Sequence, residues 1–425
     1  MEKINKKQLY KEILAGLTSF TTISYILLLN PLILADSGIP FGSALSATAL
    51  IACFSTLLMG FLAGYPFLLG PSIGLSAYFT YSVVRVQLFS WQEALAACFA
   101  SGCILVFLNV IGFRKLLLDS IPDNLRKGLT AGLGLFLFSI GLYQVGLIRL
   151  PNVHEYMIGF GKWTPAATLT FLTTALLNLL RQREIRSSYL ICIFLIWAVS
   201  LYEGLVTWQG FLDFPPSIAP TFLQLKLSSL SNPSLWTCVL SMLIVSLFDV
   251  TGTVIALGKE ANLFNHNGTL PRAKKIFFSD STGTVVGSLM GASNIAIYLE
   301  SGAGISAGGR TGMTAITGGV CFLLALFFAP LASSIPPFAA SPVLITIGLA
   351  MARHLLYLDK NKRDEWIPVI LMAVTIPLTF SLINGISMGI ILYPISCTLA
   401  GRRKEVSWLM WIFAGILLIR IFLLV

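Results

Sequence analysis

Two carboxylates stand where a carboxylate is expensive to keep. Glu300 lies in the stretch Ser293 to Arg310, SNIAIYLESGAGISAGGR, and Asp249 lies in LFDVTGTV, each within apolar sequence that has to enter a bilayer. Ionisable groups at that depth are rare and mark substrate or proton pathways. Ionised, such a group accepts hydrogen bonds from a ligand; protonated, it carries a proton. The plainer role for either is a structural hydrogen bond to a neighbouring helix.

The elements around Glu300 read as a broken helix. Ile295, Ile297 and Leu299 alternate with small or aromatic residues before it, and Gly, Ala and Ser follow it, so an extended piece leads into a short half-helix. A second break lies about half a chain earlier in Gly70 to Phe79, GPSIGLSAYF, where Gly70, Pro71 and Gly74 interrupt an apolar run. Two breaks in matching positions predict an inverted repeat. Asp280, in FSDSTGTVVG, reads as a cap on exposed N–H groups at a helix start. Gly283, Gly287 and Gly291 have the small-xxx-small spacing of close helix packing.

The chain has 425 residues, of which 56% are hydrophobic and 11% charged, the composition of a polytopic membrane protein. A net charge of +10 could suggest nucleic acid, but the basic residues cluster between apolar runs and read as loop anchors, so no nucleic-acid partner is expected. The seven cysteines all fall in predicted spans without Cys-x-x-Cys pairs or histidine companions, which predicts neither a disulfide frame nor a metal site. His154, His266 and His354 fall in loops or at a span end, away from any proton relay. No nucleophile elbow, Walker sequence or zinc-binding helix motif is present, and the reading is of a protein that is not an enzyme.

Apolar runs of membrane-crossing length place spans near 13–34, 44–63, 66–84, 91–112, 121–145, 164–180 and 188–208, then near 235–257, 276–291, 294–309, 312–333, 336–356, 366–382 and 384–400. The proline-bearing stretch 209–234 joins the halves, and 406–424 is a further apolar run that either crosses or lies on the surface. Lys3, Lys6, Lys7 and Lys11 precede a first run without a cleavage site, so that run is a retained span with a cytoplasmic N-terminus. Alternate loops carry the matching basic residues: Arg114, Lys115, Arg126 and Lys127; Arg181, Arg183 and Arg186; Lys259, Arg272, Lys274 and Lys275; Arg353, Lys360, Lys362 and Arg363; Arg402, Arg403 and Lys404. Asp36, Asp119, Asp123, Glu155, Glu184, Asp359, Asp364 and Glu365 read as solvated loop or span-end acids. An internal match supports the repeat: Ile121-Pro122 precedes Gly134-Leu135 at the same spacing at which Ile335-Pro336 precedes Gly348-Leu349.

These stretches together resemble the AzgA-like purine permeases of the nucleobase/ascorbate transporter superfamily. The resemblance runs through GLTSFTTISYILLLNPLIL, GPSIGLSAYF, FDVTGT, SDSTGTVVG, YLESGAG with AGGRTG, and PLTFSLINGI. It implies an all-α membrane protein of about fourteen spans in two inverted seven-helix repeats with broken third and tenth spans. Residues 1–112 and 235–334 would form a core domain, and 113–234 and 335–425, with the extra apolar segment, a gate domain. It implies proton-coupled uptake of adenine, guanine or hypoxanthine across the inner membrane, the proton being the coupling ion and no cofactor being required; a homodimer is compatible. Glu300 matches the family's tenth-span acid and Asp249 its eighth-span acid, and both would serve substrate and proton. Ser76, Ala77, Tyr78 and Phe79 of the first break, with Thr251 and Ser301, complete the implied substrate site, Tyr78 or Phe79 stacking on the base. Ser76 stands where the family has Asn, which implies a shifted substrate ranking. An anion carrier of the same architecture, and a channel or non-transporting receptor, are the alternatives.

Overall fold

The computed structural model describes residues 6–112, 122–149, 159–265, 270–359 and 361–424. Lys3, Arg114, Lys115, Asp119, Ile121, His154, Glu155, His266 and Lys360, read above from the sequence, lie outside the described residues.

The chain opens with α1 (Lys6–Ile23) and α2 (Ile26–Ala35), which meet at a break at Ser24 and Tyr25, and continues into α3 (Phe41–Leu58). The first break follows as β1 (Leu69–Pro71) and the short α4 (Ile73–Ala77), extended by a π-helical stretch, Tyr78–Val86. Next come α5 (Trp91–Val110), α6 (Asp123–Gln144), the two-residue strands β2 (Ile148–Arg149) and β3 (Gly159–Phe160), α7 (Pro165–Gln182) and α8 (Ser188–Tyr202). After the non-helical connection come α9 (Pro233–Glu260) and α10 (Ala273–Met290). The second break is β4 (Ile295–Ile297), a 3-10 turn at Leu299–Ser301 and α11 (Gly302–Ser306). The chain ends through α12 (Gly312–Leu324), α13 (Ala329–Ser333), α14 (Ser341–Ala352), α15 (Trp366–Thr379), α16 (Leu382–Leu399) and α17 (Trp408–Leu424).

Local sequence sets several of these starts. Ser90 and Glu93 form a reciprocal capping box at α5. Thr164 and Asn232 cap helices whose first residue is proline, where the missing N–H costs nothing. Thr311 caps α12. Asp280 does not stand at a helix start: it lies in the middle of α10 and is fully buried, because that helix begins at Ala273.

Among the described residues eight helical stretches are long and apolar enough to cross a membrane, the first being Lys6–Ala35 and the last Leu382–Leu399. The expected spans near 66–84 and 294–309 are absent from that set because each is broken by its strand. α8 and α15 are short, whereas α7 and α10 carry more polar sequence. Large apolar side chains such as Phe107, Leu172 and Ile367 point outward, as they must against lipid tails. The multi-pass membrane assignment therefore stands on helix length and on an apolar exterior together. α17 packs against α16, and all seven cysteines are free, five of them buried and Cys103 exposed.

The internal sequence match has a structural counterpart. Gly134 of α6 and Gly348 of α14 face each other so closely that a Cβ on Gly134 would stand 2.6 Å from the Gly348 carbonyl oxygen, and one on Gly348 2.5 Å from that of Gly134. Any side chain here would drive the two helices apart.

Candidate substrate site between the two breaks

The two breaks solve one backbone problem jointly. Inside a bilayer every N–H and C=O needs a partner within the protein, which an isolated extended segment cannot supply. β1 and β4 pair antiparallel, with Leu69 opposite Ile297, Gly70 opposite Ala296 and Pro71 opposite Ile295. The ladder continues beyond them: Ser72 N–H donates to Asn294 at 2.8 Å and Tyr298 N–H to Leu68 at 3.1 Å. Hydroxyls take three further N–H groups. Leu68 N–H donates to Ser301 Oγ at 3.0 Å, Leu69 N–H to Thr56 Oγ1 at 2.9 Å and Ile295 N–H to Thr284 Oγ1 at 3.1 Å.

A buried acid holds the far end of the second break. Glu12 on α1 is 1% exposed and accepts from the Arg310 N–H at 3.1 Å and the Thr311 N–H at 3.3 Å, at the start of α12. The Arg310 guanidinium turns back to the carbonyl of Gly309 at 2.7 Å and to that of Ile305 in α11. A carboxylate at a helix start and a cation at a helix end both suit the helix dipole.

Beside this paired backbone lies a cavity of about 450 Å³, within the usual range for small-molecule sites. Glu300 and Asp249 both line it. Tyr25, at the break between α1 and α2, donates its hydroxyl to Glu300 Oε1 at 2.8 Å. That bond fixes the carboxylate and leaves Oε2 to accept from a ligand. Ser72, the residue before α4, donates to Asp249 Oδ2 at 3.4 Å, so the first break reaches the acid of α9 directly. Along α9 the lining positions are Phe248, Asp249, Gly252, Thr253 and Ala256, one face at the helical spacing.

That spacing excludes Thr251, which lies two residues and roughly 200° from Asp249 around the helix; its hydroxyl bonds the Leu247 carbonyl instead. The other expected residues stand behind the cavity wall. Ser76, Ala77, Tyr78 and Phe79 are fully buried and do not line it, because α4 turns Ser72, Ile73 and Gly74 toward the cavity and its later residues into the core. Ser76 Oγ pairs with Ser293 Oγ at 2.5 Å. Ser301 is buried as the partner of Leu68 N–H.

Tyr25, Arg181 and His354 are among the lining residues that escaped the sequence reading. Tyr25 sits inside an apolar run whose only hint of a break is Ser24-Tyr25. Arg181 and His354 line the cavity although each falls at a span end, where a basic residue reads as an interfacial anchor. Arg181 closes the last turn of α7, and its guanidinium lies 5.6 Å from the centre of the Tyr189 ring.

Residues 10–389 match the xanthine/uracil permease model of the Permease family. The chain is 34% identical to the guanine/hypoxanthine permease PbuO of Bacillus subtilis, over 99% of each chain. It is also 34% identical to the adenine permease AdeP of Escherichia coli, over 93% of this chain and 89% of the relative. The transmembrane domain of a cyanobacterial bicarbonate transporter, BicA, has the same fold, with a TM-score of 0.70 at 16% identity over 90% of this chain and 99% of that one. With a model match across most of the chain and relatives matched nearly end to end, the chain belongs to the nucleobase/ascorbate transporter family of permeases.

Proposed function

We propose that this protein is a secondary active transporter that takes up purine nucleobases, adenine, guanine or hypoxanthine, together with protons across the cell membrane. The observation that carries the reading is that Asp249 and a Tyr25-oriented Glu300 line one cavity beside two paired breaks. A purine edge presents ring N–H donors beside ring acceptors. Glu300 Oε2 accepts from that edge, and the first-turn N–H groups of α4, which have no partner earlier in the helix, donate to the other. The rings facing the cavity are Tyr25, Tyr189, Phe248 and Tyr298, and these offer the stacking surface. Permease relatives that handle guanine, hypoxanthine or adenine support the substrate class.

The wider arrangement belongs to the same proposal: about fourteen spans in two inverted repeats, core parts at 1–112 and 235–334, gate parts at 113–234 and 335–425, and a cytoplasmic N-terminus. The contact of Gly134 with Gly348 and the pairing of β1 with β4 support the repeat, since each joins elements that correspond between the halves. The proton is the coupling ion, no cofactor takes part, and assembly as a homodimer is compatible. Anion carriage is the second reading, favoured by the fold shared with the bicarbonate transporter. Two carboxylates on the cavity oppose an anionic substrate by like-charge repulsion.

Uptake of labelled adenine, guanine, hypoxanthine and uracil, with and without a protonophore, tests the proposal. The expected result is accumulation of a purine that collapses when the proton gradient is removed. Binding of a purine without accumulation would instead indicate a receptor or channel. Asp249 is assigned to coupling, so Asp249→Asn should still bind purine yet lose uphill accumulation; normal proton-driven accumulation by that variant would refute the assignment.

A further inference from the structure

Tyr25 links Glu300 to more than its own helix. Its ring packs against that of Tyr189 on α8, with centroids 4.8 Å apart and planes tilted by 44°. Tyr189 lies in turn beneath the Arg181 guanidinium, at 5.6 Å. Arg181 lies in the last turn of α7 and Tyr189 in the first turn of α8, and a short connection joins the two helices. α7 packs against α14 and α8, whereas Glu300 sits on the turn that α1 cradles: Thr22 donates to the Glu300 carbonyl and Ser19 to the Ser301 carbonyl, each at 3.4 Å. An unbroken line of guanidinium, ring, ring, hydroxyl and carboxylate therefore runs from α7 and α8 to the second break.

Each step has a physical effect. The cation over its face stabilises the Tyr189 ring in one orientation. A ring held there restricts the Tyr25 ring packed against it, and the Tyr25 hydroxyl aims Glu300. We infer that Arg181 and Tyr189 form a strut that positions Glu300 for its ligand and couples ligand arrival to the placement of α7 and α8. The ordinary alternative for Arg181 is an interfacial anchor whose head sits at the membrane surface and does not act on Glu300. This inference rests on the purine-transport reading for the identity of the ligand, and not for the strut itself.

A double-mutant cycle on the purified full chain decides, with adenine, guanine and hypoxanthine as probes in equilibrium binding. Arg181→Gln is expected to weaken binding about tenfold, and Glu300→Gln more. The double variant should bind no more weakly than Glu300→Gln alone, because Arg181 acts through that carboxylate. Tyr189→Phe, which keeps the ring, should retain more affinity than Tyr189→Leu, a distinction that the anchor reading does not produce. Full affinity in Arg181→Gln, or a double variant whose loss is the product of the two single losses, would overturn the strut. If the unmodified protein binds none of the three purines, the substrate class fails, and the strut is then read from thermal unfolding. There a non-additive shift for Arg181→Gln combined with Tyr189→Leu supports it, and an additive shift overturns it.

Discussion

The two breaks share a backbone and divide the chemistry. The first, from β1 through α4, carries no charged residue and is buried throughout; it contributes Ser72, Ile73 and Gly74 to the cavity wall and the rest of its length to packing. The second, from β4 through α11, contributes its Ala296–Glu300 stretch to the wall, and at its end sits the acid. Local glycine content does not produce the difference, since both breaks have glycine and serine. It arises from what covers each side. α1 and Tyr25 lie over Glu300, supplying a hydroxyl that makes a half-buried carboxylate tolerable. Leu133 of α6 lies against Gly74, where a Cβ would stand 2.7 Å from a Leu133 methyl, so the first break is closed by apolar packing. One break gives the cavity a polar lip, and the other brings a carboxylate to its edge.

If that division is right, substitution of the acid on the second break disturbs binding, whereas substitution of side chains that stand behind the cavity wall, on either break, disturbs mainly stability. The largest effect is expected at Glu300. Glu300→Gln keeps the size and removes a charged acceptor, a loss on the order of 1.5 to 3 kcal/mol, or roughly ten- to a hundredfold in purine affinity. Equilibrium binding measures it directly, and an unchanged affinity would collapse the distinction between the breaks.

Ser301 comes next and tests the joint between them. Ser301→Ala leaves the buried Leu68 N–H without its acceptor, which costs about 1 to 3 kcal/mol. The thermal unfolding midpoint in detergent should fall, with affinity reduced far less than in Glu300→Gln. An unaltered midpoint would mean that another acceptor serves Leu68.

A smaller change is expected from Tyr25→Phe, which keeps the ring against Tyr189 and deletes only the hydroxyl. A hydrogen bond to a carboxylate is worth about 1.5 to 3 kcal/mol, but this one acts on the ligand only by aiming the acid, so purine binding should weaken only several-fold. If stability falls and affinity does not, Tyr25 supports the fold and does not orient the acid.

Which of these residues could be found without coordinates follows from what each depends on. The breaks were legible because Gly70, Pro71 and Gly74, and the Gly-rich run after Glu300, contradict a continuous helix whatever surrounds them. The two acids were legible because charge within apolar sequence needs no partner to be conspicuous. Arg181 and His354 were not, since a basic residue at a span end looks the same whether it faces headgroups or a cavity that reaches inward. Tyr25 depends on a contact 275 residues away in sequence. Asp280 was misplaced because FSDSTG resembles a capping sequence, while α10 starts earlier, at Ala273. Thr251 and Ser301 are beside the acids in sequence but turned from them in space, by helical rotation in one case and by a backbone partner in the other.

The smallest effect, and the sharpest test of the first break as scaffold, is at Ser76. Its sequence neighbours and the family Asn suggested a residue that reads the base. In the folded chain its hydroxyl is fully buried against Ser293, and neither serine lines the cavity. A side chain without access to the ligand can alter specificity only by moving the backbone of α4. Ser76→Ala removes one oxygen without adding volume, and Ser293 keeps a hydroxyl that can rotate to another acceptor. The expected cost is about 0.5 to 1.5 kcal/mol in stability, the net worth of one neutral hydrogen bond. The order in which adenine, guanine, hypoxanthine and xanthine compete for uptake should stay as in the unmodified protein. A reordered competition profile in Ser76→Ala, with stability intact, would show that the first break reads the substrate as the second does, and the division between them would be lost.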